Sequence, residues 1–230
     1  MGKRPSMTQP FARESLSDQV QQALKTEILE GELWAGQRVD VGLYAEKWNI
    51  SPTPIRDALR QLELEGFVEI SPRRGVFVAE LDRAALREIF ELRIAIECMA
   101  VRLATPRIPL EVAKEALSLY RKAHCNEGEK KQVRLLRQID ELIHNLATDH
   151  CGNERLRKFW ESTQDLIRWS RVTIIRNLNE PYATTLPEHI KICEAVVARD
   201  ANGASEAMRE HLESTFDRAD SFLRRESVSD

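Results

Sequence analysis

Residues Ser51 to Val78 read SPTPIRDALRQLELEGFVEISPRRGVFV. A hydroxyl residue and two prolines open the stretch. An apolar stripe at helical spacing follows, Ile55, Leu59, Leu62 and Leu64, and Gly66 closes it. Ser51 stands where an N-cap belongs, and Pro52 or Pro54 suits a first turn, whose N–H groups lack intrahelical partners anyway. Two short β runs come next, FVEI and GVFV, joined by SPRR. A sharply started helix thus runs directly into a basic hairpin.

Upstream, ESLSDQVQQALKTEILEGEL places Leu16, Val20, Leu24, Ile28 and Leu29 at helical spacing, with Gly31 as the stop. AGQRVDVGLYAEKWNI holds a short helix with Val41, Tyr44, Ala45 and Trp48 on its inner face. The order is therefore helix, helix, helix, hairpin. Downstream of Asp82 no strand signal recurs. Helices are expected near 82–104, 110–125, 130–150, 153–177, 182–199 and 201–225, punctuated by TPRIP, NEG, CGN, NEPY and DANG. Asp200 or Asn202 is placed to cap the last of them. The expected fold class is mainly α: a winged helix-turn-helix of three helices plus a small β-hairpin, then an all-α bundle of about six helices. The expected divisions are a flexible tail over 1–10, the winged unit over 11–80 and the helical unit over 81–227.

Bulk properties set the outer limits. The chain has 230 residues and a formal net charge of −3, so total charge does not announce a nucleic-acid binder. Cys98, Cys125, Cys151 and Cys193 form no C-x-x-C pair and read as reduced thiols, which fits a cytoplasmic protein. No apolar run approaches a membrane span, and GKR near the N-terminus is followed by no apolar signal-peptide core.

A helix that enters the major groove needs its first turn clear of the core, with short polar side chains there and arginine one turn in. Ser51, Thr53 and Arg56 fill those places, and backbone N–H groups at a helix start attract phosphate. Arg56 and Arg60 lie at i and i+4 on one face, while Ile55, Leu59 and Leu62 face inward. The hairpin tip Arg73-Arg74-Gly75 can reach a neighbouring groove or backbone. Each feature alone is commonplace: a capped helix with spaced arginines is usually a solvated helix. Their order is what points to DNA. Residues 11–80 hold eight Lys/Arg against twelve Asp/Glu, so the positive charge must cluster on one face while Glu27, Glu30, Glu32, Glu63 and Glu65 point elsewhere.

The segment from LKTEILEGEL through SPRRGVFV resembles the DNA-binding domain of the GntR family of bacterial transcription regulators. The similarity rests on the G-x-L-x-x-G-x-x-V opening, the S-x-T-P-I-R-D-A-L-x-x-L helix, the E-G-F turn and the R-R-G-x-x-V wing. It implies DNA contacts at Ser51, Thr53, Arg56, Arg73, Arg74 and Gly75. Pro52 departs from the pattern, since many members carry a second arginine there, and Gly42 stands where some carry an arginine. Arg38 or Lys47 is then a candidate to contact phosphate in their place.

In the second unit RQIDELIHNLA puts Asp140 and His144 on one helical face, with His189 and His211 on later helices. Neutral imidazoles and a carboxylate converging from separate helices suit Zn, Ni or Mn. A lone histidine in a bundle is more often a satisfied core or rim residue, and Cys193, four residues after His189, is a rival ligand or a core thiol. His124 and His150 read as surface residues. LREIFELRIAIECMAVRLA is similar to the first helix of the FCD ligand-binding domain of the FadR subgroup, as is the D-x-x-x-H, H, H order with the Gly152-Asn153 helix start. That resemblance implies a metal at Asp140, His144, His189 and His211 that helps bind a small organic acid. Arg93 is a candidate second carboxylate anchor, with an i, i+4 pair to Glu97 as the plainer alternative.

An enzyme is the competing class, because histidine and aspartate around an open metal position can hydrolyse a substrate. No H-E-x-x-H, nucleophile motif or phosphate loop supports it. A protein-binding scaffold would leave both the wing and the histidines unexplained. The expectation is a homodimeric transcription regulator, leaning to a repressor, that binds operator DNA and a small carboxylate metabolite and uses a divalent transition metal.

Overall fold

The computed structural model describes residues 15–125, 139, 141–178 and 182–226. The chain divides into two compact units between Glu80 and Leu81. In the first, α1 (Leu16–Glu30) starts at a capping box: the Ser15 hydroxyl accepts from Asp18 N–H while the Asp18 carboxylate accepts from Ser15 N–H. It ends at Gly31, whose φ of 75° lies in the left-handed region. After β1 (Arg38–Val39), Asp40 caps α2 (Val41–Trp48) by accepting from the Gly42 and Leu43 N–H groups. Then come α3 (Pro52–Leu64), β2 (Val68–Ser71) and β3 (Gly75–Val78).

The sequence suggests two strands; the sheet has three, in the order β1-β3-β2, all antiparallel. The additional strand is two residues long, Arg38 opposite Phe77 and Val39 opposite Val76, too short to show alternation. Two details of α3 also differ from expectation. Leu64 is 89% exposed, and the buried set is Ile55, Ala58, Leu59 and Leu62. At about 100° per residue, position 64 lies roughly 180° from Ile55, on the far side of the helix. Ser51 has the extended backbone of an N-cap but makes no capping bond with its side chain. Pro52 and Pro54 remove the N–H groups of the first and third helical positions, so the usual third-position donor is absent.

The second unit contains six α-helices among the described residues: α4 (Arg83–Ala104), α5 (Leu110–Cys125), α6 (Leu142–His150), α7 (Glu154–Leu178), α8 (Leu186–Val197) and α9 (Ala201–Glu226). Most of the expected 130–150 helix ahead of α6 lies outside the described residues. The expected 182–199 helix opens instead as a short 3-10 turn, Tyr182–Thr185, before α8. Asp82 caps α4 through Ala85 N–H, and Asp200 caps α9 through Gly203 N–H. Asn153 serves as the start of α7, its side-chain oxygen accepting from Leu156 N–H. Helix α4 packs against α6, α7 and α9, and α8 packs against α5 and α9. That arrangement brings α4, α6, α8 and α9 around one buried centre. No helix among the described residues is long and apolar enough to cross a membrane.

Candidate metal centre and nucleic-acid interface

His144 from α6, His189 from α8 and His211 from α9 are all buried, and each offers a ring nitrogen within 4.8 Å of the others. The Nε2 atoms of His144 and His189 stand 3.3 Å apart. Two nitrogen ligands about 2.0–2.1 Å from an ion at a tetrahedral angle are separated by roughly that distance. The spacing therefore fits shared coordination of a borderline cation.

The opposite nitrogens are braced. His144 Nδ1 bonds to Glu97 from α4. His211 Nδ1 donates to Glu188 Oε2 at 2.7 Å. A proton on Nδ1 of each ring leaves the Nε2 lone pair facing the centre, the carboxylate–histidine arrangement that fixes tautomer and raises ligand basicity. Burial pulls the His144 imidazolium down to about 4 and also lowers His211, so both rings are neutral near pH 7. Burial alone would raise Glu97; the Arg93 guanidinium and His144 overcome it and hold the carboxyl well below its usual range. Burial likewise opposes ionisation of Glu188, but His211 and Arg218 bring it down to about 2. The result is neutral donors backed by fixed anions, which suits a divalent transition ion.

Of the four residues expected to ligate, the three histidines converge. Asp140 lies outside the described residues. Arg93 is buried, and its Nε donates to Glu97 Oε1 at 2.7 Å, the plainer of the two roles considered for it. A second guanidinium, Arg171 from α7, lowers His144 and Glu97 electrostatically and pairs with Glu141 at 3.0 Å. Cys193 is a core thiol: it is buried, and burial pushes it up to about 12. His124 is exposed, and His150 is half-buried beside the Leu146 carbonyl. Sequence reasoning overlooks the bracing role of Glu97 and Glu188. The available signals are the Arg93–Glu97 spacing and the acid directly before His189.

In the first unit Ser51, Thr53 and Arg56 are exposed on the opening turn of α3, while Ile55, Ala58 and Leu59 anchor the same turns in the core. The wing turns through Pro72 and Arg73, closed by Arg74 N–H donating to the Ser71 carbonyl at 3.1 Å, with Arg73 at a φ of 67°. Arg73 and Arg74 are exposed, and Arg74 lies 5.9 Å from the Phe77 ring centroid. Gly75 has a φ of 119°, and a Cβ there would stand 3.1 Å from Arg38 Nε. The positive φ favours glycine, and a side chain there would also push the Arg38 guanidinium a few tenths of an ångström off the wing. Lys47 is occupied, pairing with Glu27 at 2.8 Å. Several acids that would oppose DNA are engaged internally. Glu65 pairs with Lys25 at 2.5 Å, and Glu63 accepts from Ile70 N–H at 3.1 Å.

A three-helix winged head followed by a helical sensing unit is the architecture of a DNA-binding transcription regulator. Residues 16–78 match the model of the gntR family of bacterial regulatory proteins, and residues 88–214 match the FCD domain. The chain belongs to the FCD-containing branch of the gntR family. It is 29% identical over 204 residues to the HTH-type transcriptional repressor GlaR of Escherichia coli (strain K12), spanning 82% of this chain and 89% of that protein. A GntR transcriptional regulator from Rhodococcus sp. RHA1 superposes with a TM-score of 0.71 at 19% identity, over 90% of this chain and 99% of that one. The metal-free FCD domain of the regulator TM0439 superposes with a TM-score of 0.52 at 24% identity, over 64% of this chain and 99% of that one. These relatives are regulators of transcription, so the hydrolase alternative is set aside.

Proposed function

We propose that this chain is a cytoplasmic repressor, acting as a homodimer, whose operator affinity is set by a small carboxylate bound at a divalent ion. The ion, Zn, Ni or Mn, is held by His144, His189 and His211, with Asp140, four residues ahead of His144, as the fourth ligand. The observation that carries this reading is the buried histidine triad with two of its rings braced by Glu97 and Glu188. When bound, the ion supplies open coordination positions that clamp a carboxylate. Arg93 and Arg171 on the His144 side are balanced by Glu97 and Glu141, so the pull on an acid comes from the ion itself.

Helix α9 ties this site to the start of the unit. It carries His211 and, nine residues on, Asp220, which accepts from Arg83 Nε at 2.6 Å and Nη2 at 3.1 Å. Arg83 is the first residue of α4, directly after the junction between units. A ligand that prefers one position of α9 therefore acts on the segment leading to the DNA-binding head, and only through unequal affinity for the two positions. On the DNA side, Ser51, Thr53 and Arg56 enter the major groove, and Arg73, Arg74 and Gly75 form the wing contact. Arg38 binds the phosphate that neither Pro52 nor Gly42 can reach with a cation. Two such heads read a two-fold symmetric operator. The repressor named among the relatives supports the direction of control.

The test is selection of sheared genomic DNA on the metal-loaded protein, followed by affinity measurements on the enriched duplex with a panel of small carboxylic acids. An enriched inverted repeat, released by at least one acid only when metal is present, is expected. Acid-dependent release that is unchanged after chelation would refute the metal-centred mechanism.

A further inference from the structure

The Tyr120 hydroxyl, from α5, donates to the Ile139 carbonyl at 2.6 Å and accepts the Ile143 N–H at 3.0 Å. In an unbroken helix that N–H would bond to that carbonyl directly. The phenol bridges these two groups just ahead of His144, at the start of α6, where the Ile143 N–H has no intrahelical partner. The ring of the same tyrosine stacks on His189, with centroids 5.1 Å apart and planes inclined by 29°. The side chain is fully buried. One residue thus touches both the turn that launches His144 and the face of His189, from a helix that supplies no ligand of its own.

We propose that Tyr120 is a positioning residue of the histidine cluster. Its hydroxyl holds the opening turn of α6 apart, and its ring sets the plane of His189, so that the two Nε2 atoms face each other at coordinating distance before any ion arrives. This rests on the cluster being a metal site. Removing the hydroxyl lets Ile143 N–H close directly onto Ile139, which tightens the turn and re-aims His144, while the aromatic contact with His189 survives. A tyrosine that merely fills the core would contribute to stability and leave the coordination of the ion alone.

The experiment compares full-length wild type and Tyr120→Phe, both stripped of metal and titrated with Co²⁺. Affinity is read by chelator competition, and geometry by the visible ligand-field bands. Wild type is expected to bind. Tyr120→Phe is expected to keep its helical circular dichroism, bind about 10–100-fold more weakly, as for other residues that support metal ligands, and show altered bands. Equal affinity with identical bands overturns the inference and leaves the site standing. A wild type that binds no Co²⁺ overturns both. Should the variant not fold, wild type labelled with 3-fluorotyrosine serves instead, its resonances assigned through Tyr44→Phe and Tyr182→Phe. The Tyr120 fluorine signal is expected to shift at saturating Zn²⁺ while the Tyr44 signal stays in place. A Tyr120 signal that zinc leaves unmoved overturns the proposal.

Discussion

Changing Glu97 to glutamine tests the electrostatic design of the centre with one atom. Glu97 is 0% exposed and accepts from two donors, Arg93 Nε at 2.7 Å and His144 Nδ1. A carboxylate can accept from both; an amide offers one acceptor and one donor. If the amide oxygen keeps Arg93, its NH₂ meets His144 Nδ1, which can accept only when the ring proton sits on Nε2. That is the atom 3.3 Å from His189 Nε2, so the substitution blocks a ligand lone pair without touching a ligand. Loss of the bracing partner alone lowers metal affinity about 10–100-fold. Arg93, 2% exposed, also loses its carboxylate, and breaking a buried ion pair costs about 3–5 kcal/mol. For a unit of this size that corresponds to a fall in Tm on the order of 6–20 °C. Urea denaturation of the metal-free proteins and Co²⁺ titration well below the transition separate the two effects. A Glu97→Gln protein within about 1 kcal/mol of wild type and unchanged in Co²⁺ affinity would show that Glu97 neither braces His144 nor balances Arg93.

Arg56→Ala is expected to weaken operator binding at least tenfold and relax specificity, whereas Arg38→Ala weakens all sequences alike and reduces the salt slope by about 1; gel-shift titrations over a salt series distinguish them. Leu59→Ala should cost about 2–5 kcal/mol because the side chain is buried, and Leu64→Ala should stay within about 0.5 kcal/mol because it is 89% exposed, both read by chemical denaturation. The metal-free protein should lose stability as pH falls from about 6.5 towards 4. His144 is held at about 4 in the fold and titrates near its ordinary value when unfolded, so across that window the unfolded chain takes up a proton that the folded chain refuses. Stability that is flat over that range would place a protonated imidazole in the centre.

The winged head is legible because local signals agree: helical periodicity, glycine stops and the Gly75 wing all follow from short-range chemistry, whereas the cap expected of Ser51 forms no side-chain bond. Features set by distant partners escape such a reading. The β1 strand exists only because Val39 and Arg38 find β3, and nothing in two residues announces that. Leu64 falls on the wrong face when leucines are counted instead of angles. The three histidines are legible from residue type and their distribution over helices. Their supports are not: Glu97 and Tyr120 are common residues whose roles depend on which helix packs beside which. Glu188 braces His211 across a gap of 23 residues, although its sequence neighbour is another histidine of the cluster.

The most direct measurement is elemental analysis of the purified protein beside a His189→Ala, His211→Ala double variant, with circular dichroism on both. The account predicts about one transition-metal ion per chain in the wild type and none in the variant, with helicity retained. A wild type that stays metal-free after exposure to Zn, Ni and Mn, or a variant that keeps the full stoichiometry, would contradict it.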